Sequence, residues 1–182
     1  AALRVLLLII QLVEAGHYPM QLLIVFVGLI PKPKGGERPI AMTAMLYRLI
    51  IKMRRPIIGD WETQNHGFWD DAIKGSSPLR AALARALRLE AGVAMGFVAA
   101  GGLWDVAAFF DSIRWDELVT FALEKQFPPQ VLQLAINVHS FVRAFREGPY
   151  VSAWVQPSGL SILVGCGCSV DFTRCLLYGL MD

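Results

Sequence analysis

From Ala2 to Glu14 the chain is apolar at most positions, which predicts a buried helix, and His17-Tyr18-Pro19 breaks it. Leu22 to Ile30 is apolar apart from Gly28 and holds several β-branched residues, so a strand is expected there. IPKPKGGERPI, Ile30 to Ile40, carries two glycines, three prolines and alternating charge. It predicts a tight hairpin whose return strand opens at Ile40. Thr43 to Arg55 follows as a helix capped by Thr43 and ended by Pro56. Met45, Leu46, Leu49, Ile50 and Met53 share one side of it, and Arg48, Lys52 and Arg55 align on an adjacent face. Gly59 to Lys74 has no steady period and reads as a loop with aromatic anchors. Ser77-Pro78 then opens the clearest helix in the chain, with Leu79, Leu83, Ala86 and Leu87 as its stripe and Arg80, Arg85 and Arg88 off it.

The stretch from about Ala94 to Val106 mixes small and apolar residues with glycines and predicts a buried strand. Beyond Asp105 the spacing of Phe109, Phe110, Ile113, Leu118 and Phe121 turns near-helical. Asp105 is therefore expected where a core strand gives way to a helix. Two readings follow: a helix cap, or an acid displayed at a strand's carboxyl end, where open sheets hold ligands. On that stretch alone the cap is favoured. Trp115 to Gln126 reads as helix, as does the stretch from about Gln130 to Phe145. A short strand is expected over Tyr150 to Val155, another up to about Val164, then a glycine turn and a final helix from Ser169. No repeat, low-complexity tract or linker interrupts this order.

Composition narrows the picture a little. The chain is 55% hydrophobic over 182 residues, and its mean hydropathy of +0.48 is high for a soluble protein. Its longest apolar runs, Val5 to Ile10 and Leu22 to Ile30, are too short to span a bilayer, so no membrane span is predicted. No signal-peptide pattern opens the chain, and a start at Ala1 reads as a fragment or a processed product. Cys166, Cys168 and Cys175 read as reduced, intracellular packing thiols (nucleus or cytoplasm), with no partners spaced for zinc.

Charge changes the picture more. The net charge is +2, yet between Pro31 and Arg88 eleven basic residues face five acids, so this segment is +6 and the remainder −4. Such asymmetry suits a polyanionic partner. Solvated faces explain the two arginine-bearing helices as well, and charge alone favours that plainer account. In the hairpin, Gly35-Gly36 lets a ligand approach the backbone and Arg38 can fork onto phosphate oxygens. An ordinary charged turn fits its composition equally.

Taken in order, these pieces resemble the fingers and palm of a reverse transcriptase, closest to the RNA-directed DNA polymerases of non-LTR retrotransposons and group II introns. LIPKPKGGERPI resembles the family's fingers hairpin. GFWDDAIKGSSPLRAAL, Gly67 to Leu83, is similar to its segment of a GF pair, a glycine-serine turn and a helix. WDVAAFFDSI resembles the first catalytic motif, and FPPQVLQLAI to VGCGCS the linking helix, hairpin and second palm motif. The resemblance runs from about Ile30 to the end.

What it implies is specific. Asp105 would bind catalytic magnesium, with the main-chain carbonyl of Val106 as a further ligand. Arg38, with Lys32 or Lys34, would hold the triphosphate. Phe110 would be the steric gate that rejects a ribose 2′-hydroxyl. Gly165 and Ser169 would pack against template and nascent pair, and Arg48, Lys52 and Arg80 would contact template or primer. Asp111 matches a family acid read as bracing its helix. The implied fold is α+β: a partial right-hand polymerase, with fingers and an incomplete palm of antiparallel sheet and packed helices. Residues 1–100 would be a fingers-like region with an N-terminal helix, and 101–182 the incomplete palm with an intervening fingers-like helical segment. RNA template, DNA primer and dNTP are the implied partners and Mg2+ the implied cofactor.

The departures matter too. Two-metal nucleotidyl transfer needs several carboxylate oxygens. The family's aromatic-x-Asp-Asp motif and its thumb are absent from these residues, and Asp182 reads as a helix-end residue. Val164 stands where many relatives carry Gln, and Ala107 and Ala108 leave Asp105 without polar neighbours in sequence. The expectation is a truncated or degenerate reverse-transcriptase domain, inactive alone. A non-catalytic nucleic-acid-binding remnant of a retroelement is one alternative, and a membrane-associated or purely structural protein, motivated by the high hydropathy, is the other.

Overall fold

A computed structural model describes residues 2–181 except 68, 74, 103 and 104. Helix α1 (Ala2–Glu14) leads through a 3-10 turn to a hairpin of β1 (Ile24–Pro31) and β2 (Glu37–Met42). Helices α2 (Met45–Asn65), α3 (Pro78–Ala94), α4 (Phe109–Ser112), α5 (Trp115–Glu124) and α6 (Pro129–His139) follow. A second hairpin, β3 (Val142–Glu147) and β4 (Tyr150–Val151), precedes α7 (Ser169–Met181). The fold class is mixed, with helices and, among the described residues, one four-stranded sheet of order β2-β1-β3-β4.

That sheet is not antiparallel throughout. Each hairpin is antiparallel, because a short turn can only reverse the chain, but β1 and β3 pair in parallel from Ile24↔Val142 to Gly28↔Arg146. A parallel pair needs a long crossover, and α2 to α6 lie between these two strands in the chain.

Residues up to Trp61 together with those from Ala108 onward form one compact unit, and residues 62–107 form another. In the first, Val25 and Val27 of β1 are buried, as are Ile50, Leu118, Val138 and Phe172. In the second, Ser77 caps α3 by accepting the Arg80 N–H (3.2 Å). At the far end of α3 Gly96 (φ +83°) closes a Schellman turn, with Phe97 N–H on Gly92 O at 2.9 Å. An Asp71–Arg85 ion pair of 2.6 Å ties the preceding loop to the helix.

Several expectations are corrected. Pro56 does not end α2, which continues to Asn65 and so takes in much of the expected Gly59–Lys74 loop. Beyond the proline, Ile58 and Trp61 are buried, and Trp61 meets the rings of Phe127 (4.9 Å) and Tyr178 (5.7 Å). That burial offsets the roughly 3 kcal/mol an internal proline costs. Thr43 is no side-chain cap, since its buried Oγ1 has no hydrogen-bond partner.

α1 is a helix but a largely exposed one. Only Ile10 and Val13 are buried, because a cylinder apolar on every side can turn only one stripe to a core. The described residues of 94–106 form no strand, and Val98 is fully exposed. A strand exists only by its ladder, and among the described residues this stretch pairs with no strand. The helix expected to Phe145 stops at His139, and its last residues instead form β3 beside β1. The strand expected up to Val164 is reduced to one bridge, Leu160 to Arg114. Asp182, read as a helix end, lies outside the described residues. Among the described residues no helix is long and apolar enough to cross a membrane.

Candidate functional site

The cationic hairpin is a regular antiparallel ladder with Ile30↔Arg38 and Pro31↔Glu37 as its last pairs. Its tip is closed by Lys32 N–H on Gly36 O (2.9 Å) and Gly35 N–H on Lys32 O (3.1 Å). Gly35 and Gly36 both take positive φ (+88° and +78°), which is why the tip needs glycine. Lys32, Lys34 and Arg38 are all exposed.

The inner end of β2 meets the glycine-to-serine turn of the last motif. Ala41 N–H donates to Val164 O at 2.7 Å. Gly165 follows with φ +96°, and a Cβ there would lie 3.1 Å from Ala41 O and 3.2 Å from Ile40 Cγ2. Only glycine fits both the conformation and the gap. At the end of the turn Ser169 begins α7, with its Oγ donating to Leu163 O (2.6 Å).

The same segment carries the Phe110 stretch. Ile162 N–H donates to Phe110 O at 2.8 Å, and Ser161 N–H to Ile113 O at 2.9 Å. Phe110, Gly165 and the return strand of the hairpin are thus linked through residues 161–165. Asp111 faces this segment: its Oδ1 accepts the Ser161 hydroxyl at 3.3 Å. Arg143 lies on the other side of Ser161, donating to its Oγ and its carbonyl, each at 3.1 Å, and to His139 O at 3.3 Å. Asp111, Ser161 and Arg143 line a cavity of about 60 Å³ under β1 and β2. Burial pulls the Arg143 guanidinium below its ordinary pKa, and the Asp111 carboxylate opposes this. Ser161 itself is in the left-handed region at φ +73°.

Sequence reasoning missed Arg143 and Ser161. Neither carries a signal: Arg143 fell inside an expected helix and Ser161 inside an expected strand. It also misplaced Arg55. Arg48 and Lys52 are exposed on α2 as expected, but Arg55 turns to Asp171, with Nη1 3.1 and 2.9 Å from its two oxygens, and its Nη2 donates to Gly167 O.

Asp105 and Val106 belong to the second unit and are exposed. Arg80 is in that unit as well, on α3, beside a cleft of about 370 Å³ that it lines with His66, Asp70, Asp71 and Arg88. Among the described residues no group of three or more His, Cys, Asp or Glu is placed to hold a metal ion. A single carboxylate such as Asp105 does not furnish the ligand set of a pair of magnesium ions, each of which takes several oxygens. The residues present do not fit a complete two-metal centre.

No protein-family model matches the chain, and no curated protein matches it.

Proposed function

We propose that this chain supplies the fingers hairpin and part of the palm of an RNA-directed DNA polymerase of the non-LTR retrotransposon and group II intron kind. The observation that carries the reading is the joint between β2 and the Gly165 turn. Ala41 N–H on Val164 O, and Gly165 against Ala41 O, put the cationic hairpin and the glycine-to-serine motif in one unit. Phe110 is tied to the same segment through Ile162. These are the three elements that the resemblance assigns to the incoming nucleotide and the nascent pair.

In this reading Arg38 and Lys32 or Lys34 neutralise triphosphate oxygens from the exposed hairpin tip. Phe110 occupies the place of the steric gate. Gly165 and Ser169 present the turn to the template, with Arg48, Lys52 and Arg80 as backbone contacts. Asp105 is the one catalytic carboxylate in these residues, so the chain binds nucleotide and primer–template without completing the transfer.

The test combines two measurements on the purified chain. Primer extension on a homopolymer template with magnesium is expected to give no robust incorporation. Binding of dNTP and of an RNA–DNA hybrid is expected, steeply salt-dependent, and weakened about tenfold or more when Lys32, Lys34 and Arg38 are replaced by Ala together. Robust incorporation that Asp105→Ala abolishes overturns the claim of inactivity. Binding indifferent to the triple substitution overturns the polymerase reading. A second reading, a nucleic-acid-binding remnant, is favoured by the +6 segment from Pro31 to Arg88. Hybrid binding without any dNTP binding would single it out.

A further inference from the structure

The turn between Gly165 and Ser169 holds more chemistry than its backbone needs. Cys166 and Cys168 flank Gly167, and both thiols are free. The Tyr47 hydroxyl oxygen, from α2, lies 2.9 Å from Cys166 Sγ, and the Cys168 N–H donates to the same sulfur at 3.5 Å. His139, at the end of α6, borders the sulfur as well. It is fully buried, with Nδ1 accepting the Leu163 N–H at 2.8 Å and Nε2 without a partner. The Tyr47 hydroxyl and the Cys168 N–H therefore both reach one sulfur, with the His139 ring beside it.

We propose that Cys166 is a peroxide-reactive thiol with Cys168 as its resolving partner. A sulfur that accepts from a hydroxyl and a backbone N–H carries negative charge more readily, and the thiolate is the reactive form. The Cys168 thiol contributes most to holding Cys166 below the ordinary thiol pKa; burial opposes it, and His139 and Tyr47 add to the lowering. Tyr47 stays protonated, raised first by burial and then by the two thiols, so its O–H remains a donor. Cys168 is displaced upward by Cys166, then by burial, with the buried Asp171 carboxylate adding to the effect. Cys175 is displaced upward by burial first and Asp171 second, and has none of these donors.

Access follows the same order. Cys166 retains 7% exposure between two exposed glycines, whereas Cys168 and Cys175 are at 0%. The oxidant must be small, and hydrogen peroxide is close to water in size. The Cys166 thiolate attacks one peroxide oxygen, the O–O bond breaks, and hydroxide leaves as water after taking a proton. Cys166 is then a sulfenic acid. Cys168 sulfur attacks it, the S–O bond breaks, a disulfide forms, and the second water leaves with the Cys168 proton. Two thiols are oxidised by two electrons and one peroxide is reduced. Residues two apart in a turn fall within the roughly 4.4–6.8 Å Cα spacing a disulfide accepts. The inference does not depend on the polymerase reading.

The experiment treats the reduced, folded 182-residue chain with hydrogen peroxide and maps each cysteine by dimedone trapping and differential alkylation. Wild type is expected to give a Cys166–Cys168 disulfide, with Cys175 oxidised at least about tenfold more slowly. Cys168→Ser is expected to leave a dimedone adduct on Cys166. In Tyr47→Phe the pH profile of Cys166 alkylation should move upward, which mere loss of packing would not do to Cys175. Oxidation of Cys175 as fast as Cys166, or of Cys166 only once urea has unfolded the chain, overturns the proposal.

Discussion

Arg55 spans the gap between α2 and α7 by placing its Nη1 3.1 and 2.9 Å from the two carboxylate oxygens of Asp171. The two ends of this pair differ in setting, for the Arg55 side chain is 45% exposed and the Asp171 side chain 1%. Arg174 supports the same carboxylate from 3.6 Å. Removing the arginine leaves a buried acid with a poorer partner and releases the Gly167 carbonyl. Arg55→Met is expected to cost about 1–3 kcal/mol, read as a lower urea midpoint with unchanged m. Arg48→Met, on the exposed face, should stay within about 0.5 kcal/mol.

Ser161 holds a left-handed backbone that serine adopts at a cost of about 1 kcal/mol, and its hydroxyl bridges Arg143 and Asp111. The two effects separate by substitution. Ser161→Ala loses the bridge and keeps the strain, while Ser161→Gly loses the bridge and relieves it. The glycine variant should therefore be the more stable of the two by about 1 kcal/mol in denaturant unfolding.

Gly165 and Gly35 have similar positive φ, +96° and +88°, but only Gly165 has neighbours within 4 Å of an added Cβ. Gly35→Ala should cost only the backbone term, about 1–2 kcal/mol. Gly165→Ala adds a collision with Ala41 O, a backbone atom that cannot swing aside, and should cost clearly more. Equal losses in thermal unfolding would show that β2 yields at this contact.

Asp116 at the start of α5 is held down to about 2 from an ordinary 3.8, first by the Arg114 hydrogen bond and then by the Glu117 N–H. A carboxyl depressed in the folded state adds stability above its unfolded pKa and loses it as the pH falls toward the folded value. The contribution should fade between about 3.8 and about 2. Asp116→Asn should flatten that part of the stability–pH curve and lower the neutral plateau by the same amount, which is small because the pair is exposed and screened by solvent.

Local chemistry was legible in the sequence wherever it needed no distant partner. Ser77-Pro78 started α3, Ser169 started α7, and the two glycines with their flanking strands made the Lys32–Gly36 tip, since caps and tight turns are settled by side chains and φ within a few residues. The order and residue types of the candidate motifs came from the sequence as well. Tertiary structure decided whatever depended on a partner far along the chain. Pro56 lies inside a helix because Ile58 and Trp61 find a core beyond it. Residues 142–147, half of them charged, became a strand because β1 pairs with them, while the described part of 94–106, far more apolar, pairs with no strand. Arg55, aligned with Arg48 and Lys52 by periodicity, was drawn to a buried acid 116 residues away. Periodicity records which side of an element is apolar, but a ladder, a buried ion pair or a cavity exists only once another segment supplies its other half.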